Sequence, residues 1–265
     1  MSIYTEQLIQ LIKNDRFPRS EKYDKEWVLK NNMGPNALWL TEWLCEKMEL
    51  KPGMRVLDMG CGKVLSSVFL AKEFGVQVWA NDLWISATEN WQRIRDAGLE
   101  NQVYPIRAEA HALPYAEGFF DAIVCLDAYI YFSTDDLYLN YFHKLVRPGG
   151  QIGIVIPGLV RDFNGPVPAH LTQPQKNGGL YWVNEPWAFH TAEWWCNHWA
   201  KTGLVDVELA DTLKNGWQDW LQFEKASNLT RTNISSDEGA LERDGGRYLG
   251  LVRMVGRRVN KHDAK

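Results

Sequence analysis

The sequence predicts an α/β fold built on a doubly wound parallel sheet, and three observations predict it. Short apolar runs without alternation, "MRVLDMG" first among them, take turns with stretches of helical spacing. Turn signals such as "KPG" (Lys51 to Gly53) and "RPGG" (Arg147 to Gly150) punctuate them. A turn with two glycines, "DMGCGKV", leaves the first apolar run directly.

Residues 1–34 are polar and aromatic and read as one or two short helices, "TEQLIQLIKN" among them, lying against something else. Pro35 suits the first turn of a further helix, in which Leu40, Trp43, Leu44 and Met48 recur at helical spacing. After "MRVLDMG" the pattern continues as helix "VLSSVFLAKEFG", strand "VQVWAND", helix "SATENWQRIRDAG", strand "QVYPIRAEA", strand "DAIVCLDA", helix "TDDLYLNYFHKLV", turn "RPGG" and strand "QIGIVIPG". Strands alternating with helices imply right-handed crossovers in one sheet. Helix "TAEWWCNHWAKTG", strand "VDVELADT" and a last strand in "RYLGLVRMVGRRV" complete it. The domain proper is expected over residues 35–265, with a Pro-, Gly- and Trp-rich insert over 157–199. Seven of the thirteen tryptophans fall between Trp182 and Trp220, which predicts a covered pocket or partner surface there.

Composition narrows the function classes. At 265 residues, with 45% hydrophobic and 23% charged residues, the chain has ample core material for one elaborated domain. A net charge of -4 gives no general attraction to nucleic acid and favours a small-molecule partner. Cys45, Cys61, Cys125 and Cys196 form no C-x-x-C pair, so neither a metal site nor a disulfide framework is expected. The N-terminus has no signal-peptide pattern, and no run approaches the roughly 18 apolar residues of a membrane span, so a cytoplasmic protein is expected.

In an open parallel sheet, ligands bind at the carboxyl ends of the strands, where "DMGCGKV" stands. Gly60 and Gly62 let backbone approach a ligand, but a dinucleotide loop needs a third glycine, and Leu65 stands there while Val64 fills the neighbouring slot. That argues against a nicotinamide oxidoreductase. Asp58 ends the first strand, Asp82 the second, and Glu109 follows the third. Three acids around a glycine turn would repel phosphate and suit an ammonium, a ribose and an amino-purine together, which is S-adenosylmethionine. Singly, each acid is also explained as a helix cap, a turn residue or a solvated surface group.

"VLDMGCG", "VWANDL", "AEAHALPYAEGFFDAIVCLDA" and "LVRPGGQIGIVIPG" resemble the successive motifs of class I S-adenosylmethionine-dependent methyltransferases, small-molecule type, over residues 35–158. The resemblance implies a Rossmann-like seven-stranded sheet with an antiparallel last strand. It implies that Asp58, Gly60 and Gly62 surround the methionine part of the cofactor, that Asp82 holds the ribose with Leu83 against the adenine, and that Glu109 and Ala110 read the adenine edge. It places the acceptor beside "LDAYIYF", where Asp127, Tyr129, Tyr131 and His111 are the candidate catalytic groups. An acid and tyrosines so placed loosely resemble the small-amine and phosphoethanolamine N-methyltransferases. The expected activity is methyl transfer to a small aromatic or amine-bearing acceptor. A cyclopropane-type lipid-modifying transferase and a non-catalytic S-adenosylmethionine-binding interaction protein stay open beside it.

Overall fold

The computed structural model describes residues 6–175, 178–230 and 237–260. Three helices precede the sheet: α1 (Glu6–Leu11), α2 (Lys25–Asn31) and α3 (Ala37–Cys45). Asp24 caps α2 by accepting from the Trp27 N–H, and Asn36 caps α3 by accepting from the Leu38 and Trp39 N–H groups. Pro35 was expected inside the first turn of α3 and stands one residue before its cap instead. Leu38, Leu40, Trp43 and Leu44 are buried, and α3 lies on the sheet over Gly153, where a side chain would collide with Met48 and Leu44.

The seven strands are β1 (Arg55–Met59), β2 (Gln77–Asp82), β3 (Val103–Arg107), β4 (Phe120–Leu126), β5 (Val146–Leu159), β6 (Val205–Thr212) and β7 (Leu249–Arg258). They lie in the order β3-β2-β1-β4-β5-β7-β6, parallel except that β7 runs antiparallel to both neighbours. The sheet matches the expected fold class. Its order reverses between β1 and β4, so a crevice opens at their carboxyl ends. The central strands are buried on both faces, which is why they read as continuous apolar runs.

α4 (Leu65–Phe74), α5 (Ala87–Asp96) and α6 (Tyr138–Phe142) connect the parallel strands. Ser86 and Glu89 form a reciprocal capping box at the start of α5. "RPGG" was expected as a turn before β5, yet β5 begins at Val146 and runs through it. A shift of register between Phe120 and Ala122, which pair with Val146 and Gln151, absorbs the extra residues as a bulge.

The insert divides into parts. Pro157 and Leu159 pair with β7, and α8 (Ala192–Ala200) packs on β6, so both ends of the stretch 157–199 belong to the framework. Between them lie α7 (Ala169–Thr172) and a 3-10 turn, Glu185–Ala188. Two helices that the sequence pattern did not announce, α9 (Gly216–Asn228) and α10 (Asp237–Asp244), separate β6 from β7. α9 holds the N-terminal segment: Asp219 accepts from Asn14 Nδ2 at 2.8 Å and pairs with Arg16 at 2.5 Å, and Asn32 Nδ2 donates to Ser227 Oγ at 3.5 Å. Among the described residues no helix is long and apolar enough to cross a membrane, and no group of His, Cys, Asp and Glu is arranged to hold a metal ion.

Candidate functional site

The crevice at the switch point is a cleft of about 250 Å³. Its floor is the turn between β1 and α4. The Gly60 and Cys61 N–H groups both donate to Asn81 O, at 2.9 and 3.0 Å, so this turn is tied to the end of β2. Gly60 (φ 72°) and Gly62 (φ 52°) are left-handed, and a side chain on Gly60 would meet the Ala128 methyl at 2.3 Å. Val64 also adopts the left-handed conformation, at φ 61°, although it is β-branched and fully buried. The backbone thus keeps the shape that glycine would serve, and Val64 supplies a core side chain in exchange for strain.

Asp58 does not border the cleft as expected. It lies under the turn, fully buried, and its Oδ2 accepts from Ser66 and Ser67 Oγ at 2.6 Å each. Burial raises its carboxyl to about 6, against the lowering effect of the two serines. Asp82 does line the cleft. One of its oxygens accepts from Gly62 N at 2.9 Å and the other from Trp84 N and Ile85 N at 2.8 Å each, so it joins the two turns between which a ligand must lie. Leu83 stands half exposed at the mouth.

Glu109, Ala110 and His111 form the far wall. Glu109 accepts from the His111 N–H at 2.7 Å, and its Oε1 lies 2.9 Å from His111 Nδ1. The histidine bond holds the Glu109 carboxyl below its usual range. His111 is therefore engaged by its own neighbour on an exposed wall.

On the β4 side, Asp127 and Tyr131 line the cleft and Tyr129 does not. The 3-10 turn Tyr129–Tyr131 sends alternate rings to opposite sides. Tyr129 is 1% exposed and packs among Phe132, Tyr138, Phe142, Trp195 and Trp199, so it is a core residue and not a group beside the acceptor. Tyr131 faces the mouth, edge-on to Trp84, and its hydroxyl donates to Glu185 Oε2 at 2.7 Å. Burial raises the Glu185 carboxyl, an effect that the tyrosine bond opposes. Asp127 is left-handed at φ 56°, and its Oδ1 is shielded from solvent without a hydrogen-bond partner. Burial first, then the charges of Glu185, Asp237 and Glu224, pushes its carboxyl well above the ordinary range.

The roof comes from the N-terminal segment, whose role sequence reasoning missed. Asn31 to Pro35 cross the cleft as a strap. Arg93 Nε donates to Asn31 Oδ1 at 3.1 Å, Met33 Sδ lies over Gly62, and Gly34 abuts Asp127. The Gly-Pro pair ahead of a capped helix was the available signal. The tryptophans were expected to cover the pocket, and none of the seven lines it: Trp195, Trp199 and Trp220 are core, Trp194 stacks on His190 and His198, and Trp182 packs on Phe163. The insert touches the cleft's chemistry through Glu185, which no sequence feature singled out.

A Gly-turn at the switch point, with acids ending β2 and following β3, is also what comparison finds. Residues 56–150 match the family described as methyltransferase domain. Those residues are a methyltransferase domain. Methyltransferase GfsG of Streptomyces halstedii is 32% identical over 127 residues, 46% of this chain and 46% of that protein. Phosphoethanolamine N-methyltransferase 1 of Arabidopsis thaliana is 31% identical over 116 residues, 44% of this chain and 23% of that protein. The chain thus spans less than half the length of these relatives, and the likeness centres on the methyltransferase domain. Among solved structures, Haemonchus contortus phosphoethanolamine N-methyltransferase 2 in complex with S-adenosyl-L-methionine superposes with a TM-score of 0.67 at 17% identity, covering 96% of this chain and 60% of that one. At that identity the likeness concerns the fold, and it extends beyond the methyltransferase domain to the strap and the insert.

Proposed function

We propose that the protein transfers the methyl group of S-adenosylmethionine to a small aromatic or amine-bearing acceptor bound between the strap and the Asp127–Tyr131 turn. The observation that carries this reading is the joining of the two turns by Asp82 in one cleft, with bare glycine backbone below and carboxylates on three sides.

The residues fit the cofactor. Gly60 and Gly62 leave room for the methionine part, Asp82 retains acceptor capacity for ribose hydroxyls, and Leu83 with Glu109 and Ala110 offers an apolar face and a polar edge to adenine. Asp58 would act from below by fixing α4 and the turn. When bound, S-adenosylmethionine supplies a methyl carbon already activated by a sulfonium. The chain's own task is then to align the acceptor and keep water out, and proximity of this kind offers up to about 7 to 11 kcal/mol. Met33, Leu83, Trp84 and Tyr131 expose apolar surface around the mouth, which favours an acceptor with an aromatic or apolar body.

Two measurements test the reading. Calorimetry should give micromolar-range binding of S-adenosylmethionine and its demethylated product and none of NAD; equal affinity for NAD would overturn it. Incubation with methyl-labelled cofactor and cell extract, followed by mass spectrometry, should yield a labelled small molecule.

A further inference from the structure

The cleft's unanswered polar atoms are all acceptors. Asn32 lines the cleft and is only 6% exposed. Its Nδ2 donates towards Ser227 in α9, which leaves Oδ1 buried and without a partner. Asp127 Oδ1 is in the same state, and so is the Oδ1 of Asn81 at the end of β2, whose Nδ2 is engaged by Ala108 O at 3.2 Å. The strap brings the first two to the same side of the cleft, because Gly34, two residues beyond Asn32, lies against the Asp127 carboxyl. The Tyr131 hydroxyl, which might have answered one of them, is given to Glu185. Lys63 stands on the opposite, glycine-turn side and donates to the Lys30 carbonyl.

We propose that Asn32 and Asp127 together select an acceptor whose reacting group is a primary or secondary amine, received as an ammonium with one N–H on each buried oxygen. The inference rests on the methyl-transfer reading and narrows its acceptor class. A hydroxyl brings one donor to two waiting oxygens, and a carboxylate brings none; an ammonium brings at least two and a charge that the surrounding acids favour. Buried acceptors left unmatched penalise the wrong ligand, which makes the pair a selecting device and not only an attractive one. The reaction balances without a further co-reactant. The ammonium passes one proton to the Asp127 carboxylate, and its freed lone pair forms the new bond to the methyl carbon. The carbon–sulfur bond breaks with its electron pair left on sulfur, and a methylated ammonium and the neutral Asp127 acid result. Raised by burial, the Asp127 carboxyl is suited to hold that proton.

The test uses a matched pair of probes, 2-phenylethylamine and 2-phenylethanol, titrated into protein saturated with the demethylated cofactor. The amine should bind at least tenfold more tightly than the alcohol. Asn32→Leu should reduce that preference to twofold or less while leaving cofactor affinity within twofold. Asn32→Asp, which keeps the acceptor and adds charge, should retain or increase the preference. If neither probe binds, if the two bind alike, or if Asn32→Leu leaves the preference intact, the inference is overturned. Should Asn32→Leu fail to fold, a loss of preference in Asn32→Asp overturns it instead. Failure of the demethylated cofactor itself to bind would be a different result, removing the methyl-transfer reading first.

Discussion

Gly34 lies so close to Asp127 that a methyl group on its α-carbon would stand 1.8 Å from Oδ2. Its φ is not in the left-handed region, so the demand for glycine comes from this contact and not from the backbone. Gly34→Ala should therefore displace the carboxyl or the strap. The expected outcome is a fall in methyl-transfer kcat/KM of at least tenfold with cofactor affinity unchanged within twofold, read by steady-state kinetics and calorimetry.

Val64 offers a test of stored strain. Truncation to alanine removes buried methyl groups and keeps a side chain in the left-handed region, whereas glycine removes slightly more and releases that conformation, worth about 1 kcal/mol. Val64→Gly should be no less stable than Val64→Ala in urea unfolding, the reverse of the order expected within a helix. A clearly weaker glycine variant would show that the turn carries no strain.

Asp82→Ala should weaken cofactor binding by about 1 to 3 kcal/mol, since both ligand and turn lose an acceptor. Asp82→Asn keeps an oxygen for the Trp84 and Ile85 N–H groups and should lose less. Unchanged dissociation constants in both variants would make Asp82 a turn brace alone.

Asp58 gives a pH signature of the fold. Its carboxyl titrates at about 6 in the folded protein against 3.8 as the ordinary value, so the folded state binds the proton more tightly than the unfolded state. Such a group is neutral to stability below pH 4, costs stability increasingly as pH rises through 4 to 6, and levels off above, with a total of about 3 kcal/mol. Asp58→Asn should gain stability relative to wild type across that window, measured by urea unfolding at pH 4 and 7. A difference independent of pH would refute the assignment.

Tyr131→Phe should spare cofactor affinity and lower turnover about tenfold. Losing the hydroxyl removes the bond that holds the Glu185 carboxyl down, so that group should titrate higher. The acidic limb of the kcat/KM profile should accordingly move to higher pH, a readout that mere loss of packing would not shift.

The sheet and the glycine turn were legible because their signals are local: an unalternating apolar run, "GCG", and acids at strand ends. Tyr129 and Tyr131 show where legibility ended. Two tyrosines separated by one residue look alike in sequence, and a short 3-10 turn sends one into the core and the other to the mouth. The strap was hidden for a different reason. Asn32 and Gly34 acquire meaning from Ser227 and Asp127, contacts that no local pattern encodes. The tryptophans misled because bulk at the back of a sheet and bulk over a pocket have the same composition.

The hooks between the strap and α9 bear on how such a protein can be recombined. Asn14, Arg16 and Asn32 grip Asp219 and Ser227 from nearly opposite ends of the chain, outside the stretch 56–150 that is the methyltransferase domain. A chimera that exchanged only the first 36 residues would carry a roof without its fastenings, and would strand Asp219 beneath it. Acceptor preference in this architecture is inherited as a matched pair of distant segments, and the catalytic core between them can stay the same while that pair is replaced.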